Sequence, residues 1–185
     1  MHYFKLLDLS LGQVGLVWRD EGTPVPVTII LREKGISLPS LIRQSFPKAE
    51  PCSHACLDDI CHSLEEYDRG KEIFSLFPES ALTGYTEFQR RVWRETARIP
   101  RGQVSTYGRV AENISVPRAA RAVGTALGQN PLPLLISCHR VVRTNGELGG
   151  FSGGGIAMKQ RLLEGEGIRF DRQGRITNLA TSLCS

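Results

Sequence analysis

The stretch TYGRVAENISVPRAARAVGTAL, residues 106–127, decides how the chain is organised. Its first part has helical spacing from Thr106 to Ile114 and then meets Ser115-Val116-Pro117, a tight turn whose proline cannot continue a helix. The second part, Arg118–Leu127, resumes as a helix of small residues, with Ala119, Ala120, Ala122, Gly124, Thr125 and Ala126. Two short helices joined by a tight turn have the layout of a helix-turn-helix. The smoothness of the second helix has two readings. Small side chains let a neighbouring helix pack closely, or they let the backbone approach a sugar-phosphate wall in a narrow groove. Arg121 is the one long side chain in the middle of this helix, and a lone helix arginine is commonly a solvated charge. A transcription factor would need several Asn, Gln, Arg or Lys side chains here to read base edges, which this helix lacks.

Upstream, Thr86-Glu87-Phe88-Gln89 is a capping-box pattern, and Phe88, Val92, Trp93 and Ala97 make one apolar face behind it. Pro100 and Gly102 stop that helix. The N-terminal half has another character. Tyr3–Leu9, Val14–Arg19 and Val25–Leu31 are β-prone runs separated by turn residues. Residues 37–45 and 56–69 then have helical spacing, and 71–85, with Pro78 and Gly84, reads as a linker. Strands followed by helices predict a small α+β domain over 1–85, ahead of a mostly helical domain with a helix-turn-helix over 86–185. The fold class is α+β.

Charge divides along the same line. Residues 1–85 carry 8 Lys+Arg against 12 Asp+Glu, and residues 86–185 carry 15 against 7. A basic half rich in arginine suits phosphate contacts, and it equally suits a merely soluble basic surface. No segment approaches the ~18 apolar residues of a membrane span, and the N-terminus lacks the layout of a secretory signal. The expectation is a soluble, intracellular protein. Five cysteines, Cys52, Cys56, Cys61, Cys138 and Cys184, are an odd set that argues for reduced thiols rather than a disulfide framework. Cys52, His54, Cys56, Cys61 and His62 hold enough ligand chemistry for zinc, but the spacing is not that of a standard finger, and ordinary cysteines are the preferred reading.

Downstream, Leu134–Ile136 predicts a buried strand that delivers Ser137-Cys138-His139-Arg140 at its end. A thiol beside an imidazole and a guanidinium predicts a lowered cysteine pKa and a thiolate nucleophile, although a structural cysteine is the alternative. Gly149-Gly150-Phe151-Ser152-Gly153-Gly154-Gly155 lacks the Gly-Lys-Ser/Thr end of a phosphate cradle. It reads as a flexible wall carrying one aromatic ring, suited to a planar ligand. A last helix covers about 156–166.

These residues carry a family resemblance. Cys138-His139-Arg140-Val141 after Asn130-Pro131 and Pro133 resembles the signature of O6-alkylguanine-DNA alkyltransferases. Ile99–Gly108, Ala119–Gly124, Lys159 and Leu162–Gly167 extend the likeness in order over about 86–170, and it thins in the N-terminal half to Leu64, Tyr67 and Gly70. The resemblance implies a ribonuclease-H-like N-terminal domain. It also implies a single-turnover repair protein that flips O6-alkylguanine, and potentially O4-alkylthymine, out of duplex DNA through the minor groove. Cys138 would accept the alkyl group. His139 would take the thiol proton through a water, with Glu166 orienting the imidazole. Asn130 would brace the turn, and Tyr107 would give a proton to the departing guanine. Arg121 would fill the gap left by the flipped base, and Pro133, Val141, Phe151 and Ser152 would line the base pocket. Thr106, Ala120, Ala122, Gly124 and Arg140 would face the DNA. No metal or organic cofactor is implied, and the protein would act as a monomer in the cytoplasm, or in the nucleus of a eukaryote. A related class of non-enzymatic binders of alkylated DNA carries another residue in place of the cysteine, so Cys138 argues against that alternative. Three departures stand out: Ser137 where the family has proline, Phe151 where it has tyrosine, and one extra glycine within Gly153–Gly155.

Overall fold

The computed structural model describes residues 1–31, 37–73, 77–179 and 183, so Cys184 lies outside the described residues. The chain folds into two compact units. The first is Met1–Thr83 with Pro131–Leu135, and the second is Gly84–Asn130 with the chain from Ile136 onward. The secondary structure is mixed α and β, as the sequence indicates.

In the first unit the three β-prone runs become strands β1 (His2–Leu9), β2 (Gly12–Asp20) and β3 (Pro24–Leu31), joined as an antiparallel meander. A fourth short strand, β4 (Glu50–Pro51), pairs parallel with β1 and gives the order β3-β2-β1-β4. The prolines of β3 sit on an edge, where a missing N–H costs least. Val14, Leu16, Val17 and Trp18 of the central β2 are all buried. Helix α1 (Leu38–Ser45) turns Leu38 and Ile42 inward. It packs closely because Gly15 has no side chain: a Cβ there would stand 2.9 Å from Ile42 Cδ1. Helix α2 (Asp58–Asp68) buries Ile60, Cys61, Leu64 and Tyr67. It starts two residues later than the spacing suggests, because Ala55–Leu57 winds as a tighter 3-10 turn. His54 caps that turn, its Nδ1 accepting from the Cys56 N–H at 3.2 Å. Each fully buried aliphatic side chain here stabilises the unit by about 1.5–3 kcal/mol. Within the expected linker, Glu79–Leu82 forms a 3-10 turn that buries Ala81 and Leu82; positions 74–76 lie outside the described residues.

The second unit opens on α3 (Glu87–Ala97), where both halves of the capping box form: Thr86 Oγ1 accepts from Gln89 N at 3.2 Å, and Thr86 N donates to Gln89 Oε1 at 2.9 Å. Helices α4 (Tyr107–Asn113) and α5 (Ala120–Gly128) follow. The turn between them places Ser115 and Arg118 in the left-handed region, at φ 59° and 71°. Trp93 is fully buried and its Nε1 donates to the Ala126 carbonyl at 2.9 Å, tying α3 to α5. Two short strands, β5 (Ser105–Thr106) and β6 (Val141–Val142), pair in parallel. Helix α6 (Gly155–Gly165) follows, and Val104, Val142, Leu148, Leu163, Ile168 and Ile176 form a hydrophobic core cluster in this unit.

One expectation fails. Leu134–Ile136 is not a strand: Leu134 and Leu135 form a turn, with Leu134 at φ 76°. Leu132, Leu134, Leu135 and Ile136 are nonetheless all buried. A short apolar run specifies burial and leaves backbone direction open, and here Pro131 and Pro133 break the run up.

Candidate active site

A cavity of about 470 Å³ lies within the second unit, walled by α5 on one side and the glycine loop on the other. Ala120, Arg121 and Gly124 line it from the helix, and Gly149, Phe151 and Ser152 from the loop. Cys138 and Tyr107 reach it from between these walls. Tyr107 stands in a narrow slot. A Cβ on Gly124 would lie 3.7 Å from its ring, and one on Gly149, which has φ +71°, would lie 2.6 Å from its hydroxyl. Part of the smoothness of α5 therefore serves packing against Tyr107. Ala122 and Arg121, by contrast, are exposed.

Cys138 begins a 3-10 turn, Cys138–Arg140, that leads into β6. Its backbone entry is tight: Cys138 N donates to the Ile136 carbonyl at 2.7 Å, closing an inverse γ-turn about Ser137 at φ −73°, ψ 50°. That φ is one a proline ring would impose. The serine departure therefore leaves the nucleophile's backbone where proline would put it. Asn130 braces the same turn, its Nδ2 donating to the Ile136 carbonyl and to Cys138 Sγ, both at 2.9 Å.

The thiol is buried, and burial pushes its pKa up; the Asn130 hydrogen bond and the Lys159 charge act against this without reversing it. The expectation of a thiol acidified by its sequence neighbours is therefore corrected. His139 Nε2 and the Arg140 guanidinium are engaged elsewhere, chiefly by Glu166. His139 Nε2 meets Glu166 Oε1 at 2.9 Å, and Arg140 Nε donates to Glu166 Oε2 at 2.9 Å. Arg140 Nη1 also donates to the Ile99 carbonyl at 2.6 Å. Burial lowers the His139 pKa, so the imidazole is neutral. Burial alone would raise the Glu166 carboxyl, but hydrogen bonds from His139 and Arg140 and the Arg140 charge outweigh it and hold the group ionised. An ionised Glu166 accepting from Nε2–H fixes the tautomer and makes Nδ1 the basic nitrogen.

Arg140 is only 1% exposed, so its expected place facing DNA is corrected: it is an internal counter-ion. Thr106 caps α4, its Oγ1 accepting from Arg109 N at 3.2 Å. Val141 and Pro133 are buried and do not line the cavity. Among the described residues no three His, Cys, Asp or Glu side chains come together as a metal site.

Lys159 is the residue whose role the sequence reading missed. It is 1% exposed, and its Nζ donates to the carbonyls of Val141 at 2.7 Å and Leu148 at 2.6 Å. It thereby fastens the glycine loop to β6, and it stands 5.9 Å from the centre of the Tyr107 ring. Burial pushes its pKa down to about 8. The available signal was position: Met158, Lys159, Leu162, Leu163 and Glu166 fall on one buried face.

This geometry can be set beside known proteins. Residues 87–168 match the model of the 6-O-methylguanine DNA methyltransferase DNA-binding domain. A methylated-DNA–protein-cysteine methyltransferase of Mycolicibacterium paratuberculosis is 53% identical over 78 residues, 42% of this chain and 47% of that protein, so the match spans about half of that relative. The enzyme of the same name from Methanosarcina acetivorans is 34% identical over 165 residues, 89% of this chain and 98% of its own. The chain belongs to the methylated-DNA–protein-cysteine methyltransferase family. The crystal structure of Mycobacterium tuberculosis OGT in complex with DNA superposes with a TM-score of 0.67 at 31% identity, covering 89% of this chain and 92% of that one. At the entry to α6, Gly154 and Gly155 take left-handed φ values of 113° and 77°.

Proposed function

We propose that the protein repairs duplex DNA by taking an O6-alkylguanine base into this cavity and moving its alkyl group onto Cys138. The observation that carries the reading is a single thiol in a nucleotide-sized cavity, braced by Asn130 and backed by a neutral His139 on an ionised Glu166. His139 Nδ1 takes the thiol proton through a water, the sulfur attacks the alkyl carbon, and the O6–carbon bond breaks. Burial and the nearby thiolate both raise the Tyr107 pKa, so its phenol holds a proton to give to the departing guanine. A thioether has no easy return, and each molecule acts once. Exposed Arg121 fills the gap left by the flipped base, and the helix it stands on lies along the minor groove. One chain carries every group the reaction needs, so the protein works as a monomer. The free Cys52, Cys56, Cys61 and Cys138 suit a reducing compartment such as the cytosol.

The test is intact mass after mixing with a duplex containing O6-methylguanine. One added methyl group mapping to Cys138 is expected, with Cys138→Ala binding the duplex and gaining nothing. Methylation of another cysteine, or many turnovers per molecule, overturns the reading.

A further inference from the structure

Two residues that line the cavity carry a formal charge, Arg121 and Arg143. A neutral base needs neither. Arg121 has a place in the duplex gap, and Arg143 has had none so far. It lies just past β6, where its N–H donates to the Glu147 carbonyl at 2.9 Å and Gly146 closes the turn back. Its side chain is 60% exposed and its Nη1 meets Glu147 Oε2 at 2.8 Å. Glu147 is shared, since Arg175 Nη2 reaches its other oxygen at 3.6 Å. An exposed pair of this kind is held only weakly and exchanges readily. The guanidinium is also close enough to Tyr107 for its charge to lower the phenol's pKa against burial and the Cys138 charge.

The geometry points to Arg143 as a phosphate clamp: on loading, it leaves Glu147 for a backbone phosphate flanking the flipped nucleotide, holding the lesion strand at the cavity mouth. What enters such a cavity is a base still joined to its phosphodiester chain, and the chain must pass the rim. A fork of N–H donors held by a weak partner is suited to exchange carboxylate for phosphate. Arg143 is then a positioning residue that favours lesions in a strand over free bases. The inference rests on the proposed alkyl transfer to Cys138.

The test compares wild type and Arg143→Gln in the rate of Cys138 alkylation, methyl from the duplex and benzyl from the free base. The substrates are an O6-methylguanine duplex at several salt concentrations, and the same duplex with a neutral methylphosphonate placed 5′ or 3′ of the lesion. Free O6-benzylguanine, which has no phosphate, is the reference. On the natural duplex, Arg143→Gln should react about tenfold more slowly relative to its own rate with the free base. The slope of log rate against log salt should flatten by about one. At one methylphosphonate position the difference between the two proteins should vanish. Equal slowing on duplex and free base would place Arg143 in the chemistry through Tyr107, and a penalty undiminished at both methylphosphonate positions would remove the phosphate contact; either overturns the clamp. A wild-type protein that alkylates Cys138 with neither substrate overturns the alkyl-transfer reading itself, and the clamp with it.

Discussion

The two units hide different things. Among the described residues the first buries one notable polar side chain, Ser63, whose hydroxyl donates to the Asp59 carbonyl at 2.8 Å within its own helix. The second buries His139, Arg140, Lys159 and Glu166, all ionisable. The first unit is held by strand pairing and apolar contact, which any residues of matching shape supply. The second holds charges out of water, and each is tolerated only because hydrogen bonds replace its hydration. An apolar filling of the same volume would serve stability as well or better. What the charges supply is a fixed tautomer, a fixed loop and an electrostatic setting around one sulfur.

The sharpest way to break this contrast is to injure both units to a similar degree. Glu166→Gln leaves Arg140 buried without its counter-charge and should cost about 3–5 kcal/mol. Leu16→Ala, in the fully buried centre of β2, should cost about 2–5 kcal/mol. Urea unfolding would read the two losses. The methylation rate per folded molecule should collapse for Glu166→Gln and stay near wild type for Leu16→Ala. If Leu16→Ala lost its rate too, the division of labour between the units would be wrong.

Lys159→Met gives a finer cut. It exchanges a buried ammonium for a thioether of similar length, so stability should change by less than about 2 kcal/mol. The thiol loses a cation whose charge acts to lower its pKa, so that pKa should move further up. Methylation at neutral pH should fall about tenfold, and the rising limb of the pH–rate profile should shift to higher pH. An unchanged profile would reduce Lys159 to a fastener of the loop. The smallest expected effect is at Ser137, whose φ of −73° already matches proline. Ser137→Pro should raise stability by about 0.4–1 kcal/mol through the unfolded chain, with the methylation rate unaltered. A loss of rate would show that the serine side chain or N–H serves the site.

The same contrast explains what the sequence made legible. The meander, the capping box at Thr86 and the helix-turn-helix are written in local patterns, alternation, spacing and turn residues, and the structure follows them closely. The residues of the site were also visible as types, since Cys138, Tyr107, Arg121, Phe151 and Ser152 do meet at one cavity. What escaped was pairing at long range. Arg140 looked like a surface cation because nothing in Ser-Cys-His-Arg tells that Glu166, 26 positions away, turns it inward. The thiol looked acidified for the same reason, because adjacency in sequence stood in for adjacency in space. Lys159 escaped because a lysine on an apolar face usually lets its stem lie buried and its head reach water, whereas this one ends on backbone carbonyls.

The five residues Pro131–Leu135 carry a consequence for anyone who would cut the chain into modules. They belong to the first unit, where Ile29 N donates to the Pro131 carbonyl at 2.9 Å, yet they sit between Asn130 and Ile136 of the second. Chain order and spatial grouping thus disagree at a single short excursion. A gene fragment starting at residue 84 would encode every residue that lines the cavity and still part the buried Leu132, Leu134 and Leu135 from the rest of their unit. The excursion is flanked by Asn130 and Ile136, the pair whose hydrogen bond braces the turn before Cys138. Residues covalently flanked by the nucleophile's brace thus belong to the unit whose sheet supplies none of the cavity's lining residues.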